Sequence, residues 1–227
     1  MRDNPIHTFL QFMVGQIPDQ ISSGDYRWFT VALYWALLIA SAVIVSINWR
    51  RDPSQRTFTH VSILGIRFLA AGMWYLGMLW KLPLPVSPGF EFWLGNTVKY
   101  SSFSLHADLM QVFLDHIAIV QPLVLLLEIA LAASLMLGFM VRVSGIVGAL
   151  FIANLLVGLY NDPSEWPWTY AGIICAHGMF AATQAGRSLG FDNIVAKRLI
   201  RLPLREGRLS QAVAWAFSAD RTVSGTA

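Results

Sequence analysis

The sequence predicts an all-α integral membrane protein, a bundle of five transmembrane helices, and three observations carry that expectation. Of the 227 residues, 56% are hydrophobic and 13% charged, with a mean hydropathy of +0.54. Soluble domains of this size carry about twice that charged fraction, so too little polar surface is left to cover an apolar core. Five apolar stretches approach the roughly 20 residues that a helix needs to cross a hydrocarbon core about 30 Å thick. Finally, Lys and Arg gather on alternate connections, which is the pattern of membrane topology. The net charge of +3 and pI of about 9.2 therefore do not point to nucleic acid, and no nucleic-acid partner is expected.

The five expected spans are 28–47, 61–80, 117–138, 144–160 and 168–184, the last two short and dependent on flanking aromatic residues. Open strands are excluded in lipid because their backbone groups would go unpaired. No cleavable signal peptide is expected, since the first apolar run is too long for an h-region. Arg50, Arg51 and Arg56 follow the first span, Arg142 sits in the turn after the third, and the tail carries Arg187, Lys197, Arg198, Arg201, Arg205, Arg208 and Arg221. The opposite side has only Arg2, Arg27, Lys81 and Lys99. By the positive-inside rule the N-terminus lies outside and the C-terminus in the cytoplasm; the membrane expected is a bacterial inner membrane.

Three flanking segments have expectations of their own. Residues 6–21 mix apolar and polar side chains as a short helix lying on the membrane would; a terminus packed on a neighbour fits equally. In the loop 81–115, Pro83, Pro85 and Pro88 force an extended path, and Phe90, Phe92, Trp93 and Leu94 supply apolar surface for a cap over the bundle. After the last span, Gly186 and Gly190 can end the helix and Asp192 can cap a new one. That helix sets Ile194, Val195, Leu199 and Leu202 apart from Lys197, Arg198 and Arg201, a basic amphipathic pattern suited to an anionic lipid surface or a partner.

An ionisable group at membrane depth costs at least about 2.5–3.5 kcal/mol and is either paired or used. Arg67, Glu128, Asn154 and His177 fall within roughly 6 Å of one another in depth when the spans are aligned at 1.5 Å per residue. An Arg67–Glu128 ion pair with Asn154 and His177 around it is therefore expected. It reads either as a structural lock with hydrogen-bond glue or as a pocket or proton relay, in which His177 or Arg67 could donate to a quinone carbonyl. No two histidines match in depth for haem. His106, Asp108, Asp115 and His116 have no metal-motif spacing, so no metal is expected. Cys175, the single cysteine, excludes an internal disulfide or Cys-x-x-Cys site and is expected as a small packing residue in the fifth span. Trp74, Tyr75, Trp80, Trp93, Tyr160, Trp166, Trp168 and Tyr170 read as an interfacial belt or, for some of them, as the walls of a slot for a flat ring. Gly65, Gly72, Gly77, Gly138, Gly145 and Gly148 permit close helix packing.

Several of these residues carry a family resemblance. The run 66–72, Ile-Arg-Phe-Leu-Ala-Ala-Gly, followed by Gly77 and Lys81, resembles the first core helix of the DoxX/DoxD membrane family. Glu128-Ile129-Ala130-Leu131 with Leu137-Gly138 and Arg142 is similar to its second helix and turn, and 186–192, Gly-Arg-Ser-Leu-Gly-Phe-Asp, to the end of its fourth. The resemblance divides the chain into an outer amphipathic segment and additional transmembrane helix (1–60), a four-helix core (61–195) and a basic cytoplasmic tail (196–227). It implies a subunit of a quinone-linked redox system of the thiosulfate:quinone oxidoreductase kind, with Arg67, Lys81, Glu128 and Arg187 matching recurrent polar positions. Quinone is the implied ligand, no covalently bound cofactor is expected, and membrane lipids and other membrane subunits are the expected partners. The alternative is a non-catalytic accessory subunit of a larger respiratory or photosynthetic complex; transport through the bundle is a third reading.

Overall fold

In the computed structural model, which describes residues 4–201 and 208–219, the chain is all-helical, with no strand among the described residues. Two short helices, α1 (Pro5–Met13) and α2 (Pro18–Ser22), lead into α3 (Tyr26–Arg51) and α4 (Phe58–Leu79). The proline-rich loop then gives a helical hairpin, α5 (Pro88–Lys99) and α6 (Ser104–Asp115), before α7 (Ile117–Leu137), α8 (Val141–Gly158) and α9 (Pro167–Ala182). α10 (Phe191–Arg201) and α11 (Arg208–Ala216) complete the described chain.

Four of these, α3, α4, α7 and α8, are long and apolar enough to cross a membrane. The fifth expected span departs from that standard. α9 has 16 residues, about 24 Å. Pro167 starts it late, and Gln184 turns the chain out at a positive φ of 54° just past its end.

The helices associate as two antiparallel pairs, α4 with α7 and α8 with α9. Small residues bring the second pair together. A Cβ on Gly145 would stand 2.8 Å from the His177 carbonyl and 2.9 Å from the Ala181 nitrogen, and one on Gly148 would lie 2.2 Å from the His177 ring. In the first pair, Gly77 lies against Glu128 and the Arg67 guanidinium against Gly138. α3 leans on α7, where Ser41 donates to the Met136 carbonyl at 2.8 Å. Tyr75 of α4 also donates to the Thr30 carbonyl of α3.

The two ends of the bundle are closed differently. At one end α1 is tied to α3 by Trp35 Nε1 donating to the Met13 carbonyl at 2.9 Å, and Phe12 packs edge-on against Tyr34 and Tyr75. The α5–α6 hairpin covers the same end, as expected of a cap. Buried Gln121 of α7 anchors the intervening loop: its amide donates to the Lys81 and Pro83 carbonyls and its oxygen accepts from the Ser87 N–H. At the other end, α10 is stapled to α3 through Asn193, which donates to Asn48 Oδ1 at 2.8 Å and Asp52 Oδ2 at 3.1 Å, and through the Lys197–Asp52 ion pair.

Asp192 does not cap its own helix. Its carboxylate accepts from the N–H groups of Met140 (2.7 Å) and Val141 (3.1 Å), so it caps α8 from across the chain. The N–H groups left without intrahelical partners at that helix start, together with the positive end of its dipole, are what a carboxylate satisfies best. Cys175 also departs from expectation. It is exposed on α9 and is no part of the buried core. Trp74 and Tyr75, read as belt residues or as walls of a slot, are buried in the core and so do not belong to a belt.

Candidate functional site

Between the two helix pairs, under the α5–α6 hairpin, lies a cavity of about 1690 Å³. Its walls are apolar almost throughout and come from α1 and α3 through α9. The polar residues on those walls are Lys81, Glu128, Asn154 and Glu165, with Thr8, Thr97 and Thr169. Trp74, Tyr75, Trp80, Trp93 and Tyr170 also line it, so five of the eight aromatic residues read as a belt or slot border the cavity.

The expected cluster of Arg67, Glu128, Asn154 and His177 is not assembled; the structure distributes these residues over four separate contacts. Glu128 pairs with Lys81, Nζ to Oε1 at 2.8 Å, and not with Arg67. The stagger of α4 and α7 is the reason. Gly77, near the end of α4, lies beside Glu128, near the middle of α7, while Arg67 lies beside Gly138, just past the end of α7. Ten residues separate the two levels on either helix, about 15 Å at 1.5 Å per residue. Lys81 turns back along α4, where its ammonium also donates to the Gly77 carbonyl at 2.9 Å, one helical turn below. Glu128 Oε2, on the same carboxylate, is buried and has no hydrogen-bond donor among the described residues.

His177 sits between the helix pairs, fully buried at 0% exposure. Trp74 Nε1 donates to its Nε2 at 2.8 Å, which makes Nε2 the acceptor and leaves Nδ1–H to donate to the Ile173 carbonyl at 3.0 Å. With Phe151 and Phe180 edge-on around the Trp74 and His177 rings, this bond ties α4 to α9. Asn154 is on α8 nearer the capped end, where its Oδ1 faces His106 Nε2 at 3.1 Å; His106 Nδ1 meets Ser101 Oγ at 2.9 Å. That chain fastens the α5–α6 hairpin to α8.

Arg67 is also at 0% exposure. Its Nη1 donates to the Ala185 carbonyl at 3.1 Å. Gly138 and Gly190 leave room for the guanidinium: a Cβ on either would come within 2.5 Å of Nη1. The segment 185–192 thus wraps Arg67, and Arg187 itself points away, donating to Gln184 Oε1 at 3.3 Å. Burial pushes the Asp192 carboxyl up to about 6, against the two backbone N–H bonds and the charges of Arg67 and Arg142. For Asp52, burial works upward as well. Hydrogen bonds from Lys197, Ser54 and Asn193 prevail and hold its carboxyl well below the usual range.

These opposite shifts give a two-armed pH profile. Asp192 contributes stability that is full below its ordinary 3.8 and is lost as pH rises through about 6. Asp52 contributes stability that is full above 3.8 and is lost as pH falls below it. Thermal stability in detergent is expected to rise as pH drops from 6 towards 4 and to fall in stronger acid. Asp192→Asn should flatten the first arm alone, and an unchanged first arm would show that Asp192 does not cause it.

Of the basic surface residues, Lys197 and Arg198 are exposed on α10, while the side chain of Arg201 and residues Leu202, Arg205 and Arg221 lie outside the described part of the structure. Ile194, Val195 and Leu199 are half-buried, and the face of α10 turned to the bundle is Asp192, Asn193 and Ala196. No group of three or more His, Cys, Asp or Glu among the described residues could hold a metal ion.

Two features of the site were missed from the sequence: Lys81 as the partner of Glu128, and Gln121 as the anchor of the loop. The first had a signal, since Lys81 follows Gly77 by four residues and so lies on the same helix face. No family model, no curated protein and no solved structure matches the chain.

Proposed function

We propose that this chain is a DoxX/DoxD-like membrane subunit of a quinone-linked redox system, and that its cavity is where the lipophilic ligand sits. The observation that carries the reading is the cavity itself. Ligand pockets commonly run to about 300–1,000 Å³, apolar with a few placed polar groups. A cavity of about 1690 Å³ has room for a ring and part of an isoprenoid tail, with Lys81, Glu128 and Asn154 among its polar groups. In this reading α9 makes a fifth crossing, lengthened at its start by exposed Trp166 and Trp168 at the lipid interface. The N-terminus and the capped end face outward from a bacterial inner membrane, and the α10 end faces the cytoplasm. Lys197 and Arg198, exposed on α10, then meet the anionic leaflet. A lone exposed cysteine cannot form a dithiol centre, so a partner subunit holds the redox centre and receives the donor substrate, thiosulfate in the DoxD-type case.

The test is quinone retention. Ala132 is a buried residue on the cavity wall, and Ala132→Phe fills space there. Quinone co-purifying per chain in mild detergent should fall at least about fivefold in this variant while its melting temperature stays within a few degrees. Wild type that carries only phospholipid would sink the reading.

One observation favours the second reading, an accessory subunit of a larger complex. α3 buries only Thr30, Leu37, Ser41 and Asn48 and presents Trp28, Phe29, Trp35, Ile39, Val43 and Trp49 outward. Crosslinking from α3 to another subunit in native membranes, without quinone in the cavity, would support it.

A further inference from the structure

We infer that Gly77, Lys81 and Glu128 form a head-group subsite of the cavity that selects ligands by a hydrogen-bond donor. On the quinone reading above, on which this rests, the subsite prefers the reduced, dihydroxy form to the quinone. All three residues line the cavity. Lys81 Nζ, 2.8 Å from Glu128 Oε1 and 2.9 Å from the Gly77 carbonyl, is the cation paired with that carboxylate, and the subsite takes the carboxylate as ionised by that pairing. An ionised carboxylate only accepts hydrogen bonds. Oε1 has its donor, whereas Oε2 is buried without one among the described residues. A buried acceptor left unmade is costly, and one bonded to a hydroxyl in an apolar surround is strongly favoured.

Gly77 supplies the access. A Cβ at that position would lie 3.5 Å from Oε1 and 3.6 Å from Oε2, in ordinary van der Waals contact. The missing side chain leaves room for about one methyl group beside the carboxylate, and that is the approach a ligand hydroxyl would take to the buried Oε2. A ligand hydroxyl entering that gap finds Oε2 as its acceptor. A carbonyl or ether oxygen entering it meets the lone pairs of a carboxylate and is repelled. The specificity is for a donor on an apolar body, and a quinol is the member of the quinone pool that has one.

The same geometry provides a clean variant. Gly77→Ala fits without displacing Glu128, replaces a helix-interior glycine with a better helix former, leaves the ion pair whole, and fills the gap. In the purified full-length protein, binding is read by quenching of tryptophan fluorescence, since Trp74, Trp80 and Trp93 line the cavity. The probes are a short-chain benzoquinone, its hydroquinone kept reduced under argon, and the dimethyl ether of that hydroquinone. Wild type should bind the hydroquinone about 10- to 100-fold more tightly than the other two, the range of one charge-assisted hydrogen bond. Gly77→Ala should bring the three within about twofold. The double variant Lys81→Met/Glu128→Gln, whose amide can donate, should move the preference towards the quinone.

Equal affinities in wild type, or a preference that survives in Gly77→Ala, would overturn the inference while leaving the quinone reading in place. If none of the three probes binds, the quinone reading fails. A long-chain alcohol against its methyl ether then tests the donor subsite independently, and equal binding of that pair overturns it.

Discussion

Lys81→Met is expected to lower the stability of the protein by about 3–5 kcal/mol, because it leaves the Glu128 carboxylate buried and unpaired. Methionine keeps most of the length and apolar body of lysine, so little packing is lost with the charge. What is removed is the 2.8 Å ion pair and the bond to the Gly77 carbonyl. Glu128 is 3% exposed, and one of its oxygens already lacks a donor, so no other group takes the place of the ammonium. The prediction is checked by thermal unfolding in mild detergent, and its control is internal. Lys81→Met/Glu128→Gln removes both charges and should recover most of the loss, as replacements of whole buried pairs often do. Arg67→Met should not be rescued by Glu128→Gln, because the two residues belong to different contacts. A rescue there would restore the pairing that sequence depth alone suggested.

That pairing shows which parts of the molecule were legible in advance. Hydropathy located the helices α3, α4, α7 and α8 well, because the length and apolarity needed to cross a membrane are properties of a segment by itself. The four polar residues at depth were also recognised as special, since each is expensive in lipid wherever it sits. Who partners whom is a property of two helices. Aligning the spans at their ends put Arg67 level with Glu128, but α4 and α7 are offset, so that Gly77 faces Glu128 and Arg67 faces Gly138. The offset comes from the loop 81–87, where Gln121 of α7 holds the Lys81 and Pro83 carbonyls and carries α7 past the end of α4. Nothing in the hydropathy of either helix encodes that distance. Asp192 was misplaced for a related reason. Local rules assign a carboxylate to the nearest helix start, and here α8, fifty residues earlier in sequence, brings its free N–H groups to it. For Trp74 and Tyr75 belt and slot both stayed open, because aromatic position along a span is visible while the direction a side chain faces is not.

The direction faced is what makes Gly148 critical. Gly148→Ala is expected to cost about 1–3 kcal/mol, although a glycine-to-alanine change in a helix interior ordinarily gains up to about 1 kcal/mol. The added Cβ would stand 2.2 Å from His177 Cδ2 and 2.6 Å from Nε2. A free side chain would swing aside, but this ring is held at both nitrogens, by Trp74 Nε1 at 2.8 Å and by the Ile173 carbonyl at 3.0 Å. Either α8 and α9 separate, at the usual overpacking cost of about 1–3 kcal/mol, or the ring moves. In the second case the Trp74 N–H is left buried and unpaired, which costs about 1–3 kcal/mol. Because the Trp74–His177 bond ties one helix pair to the other, either response loosens the cavity, so ligand retention should fall together with the melting temperature. Gly178→Ala is the matched control on the neighbouring helix, where an added Cβ meets nothing within 4 Å; it should be neutral to mildly stabilising. Comparable losses in the two variants would mean that helix flexibility, and not the His177 contact, sets the effect. A harmless Gly148→Ala would mean that the His177 ring is free to move and that the bond to Trp74 does not hold the two pairs together.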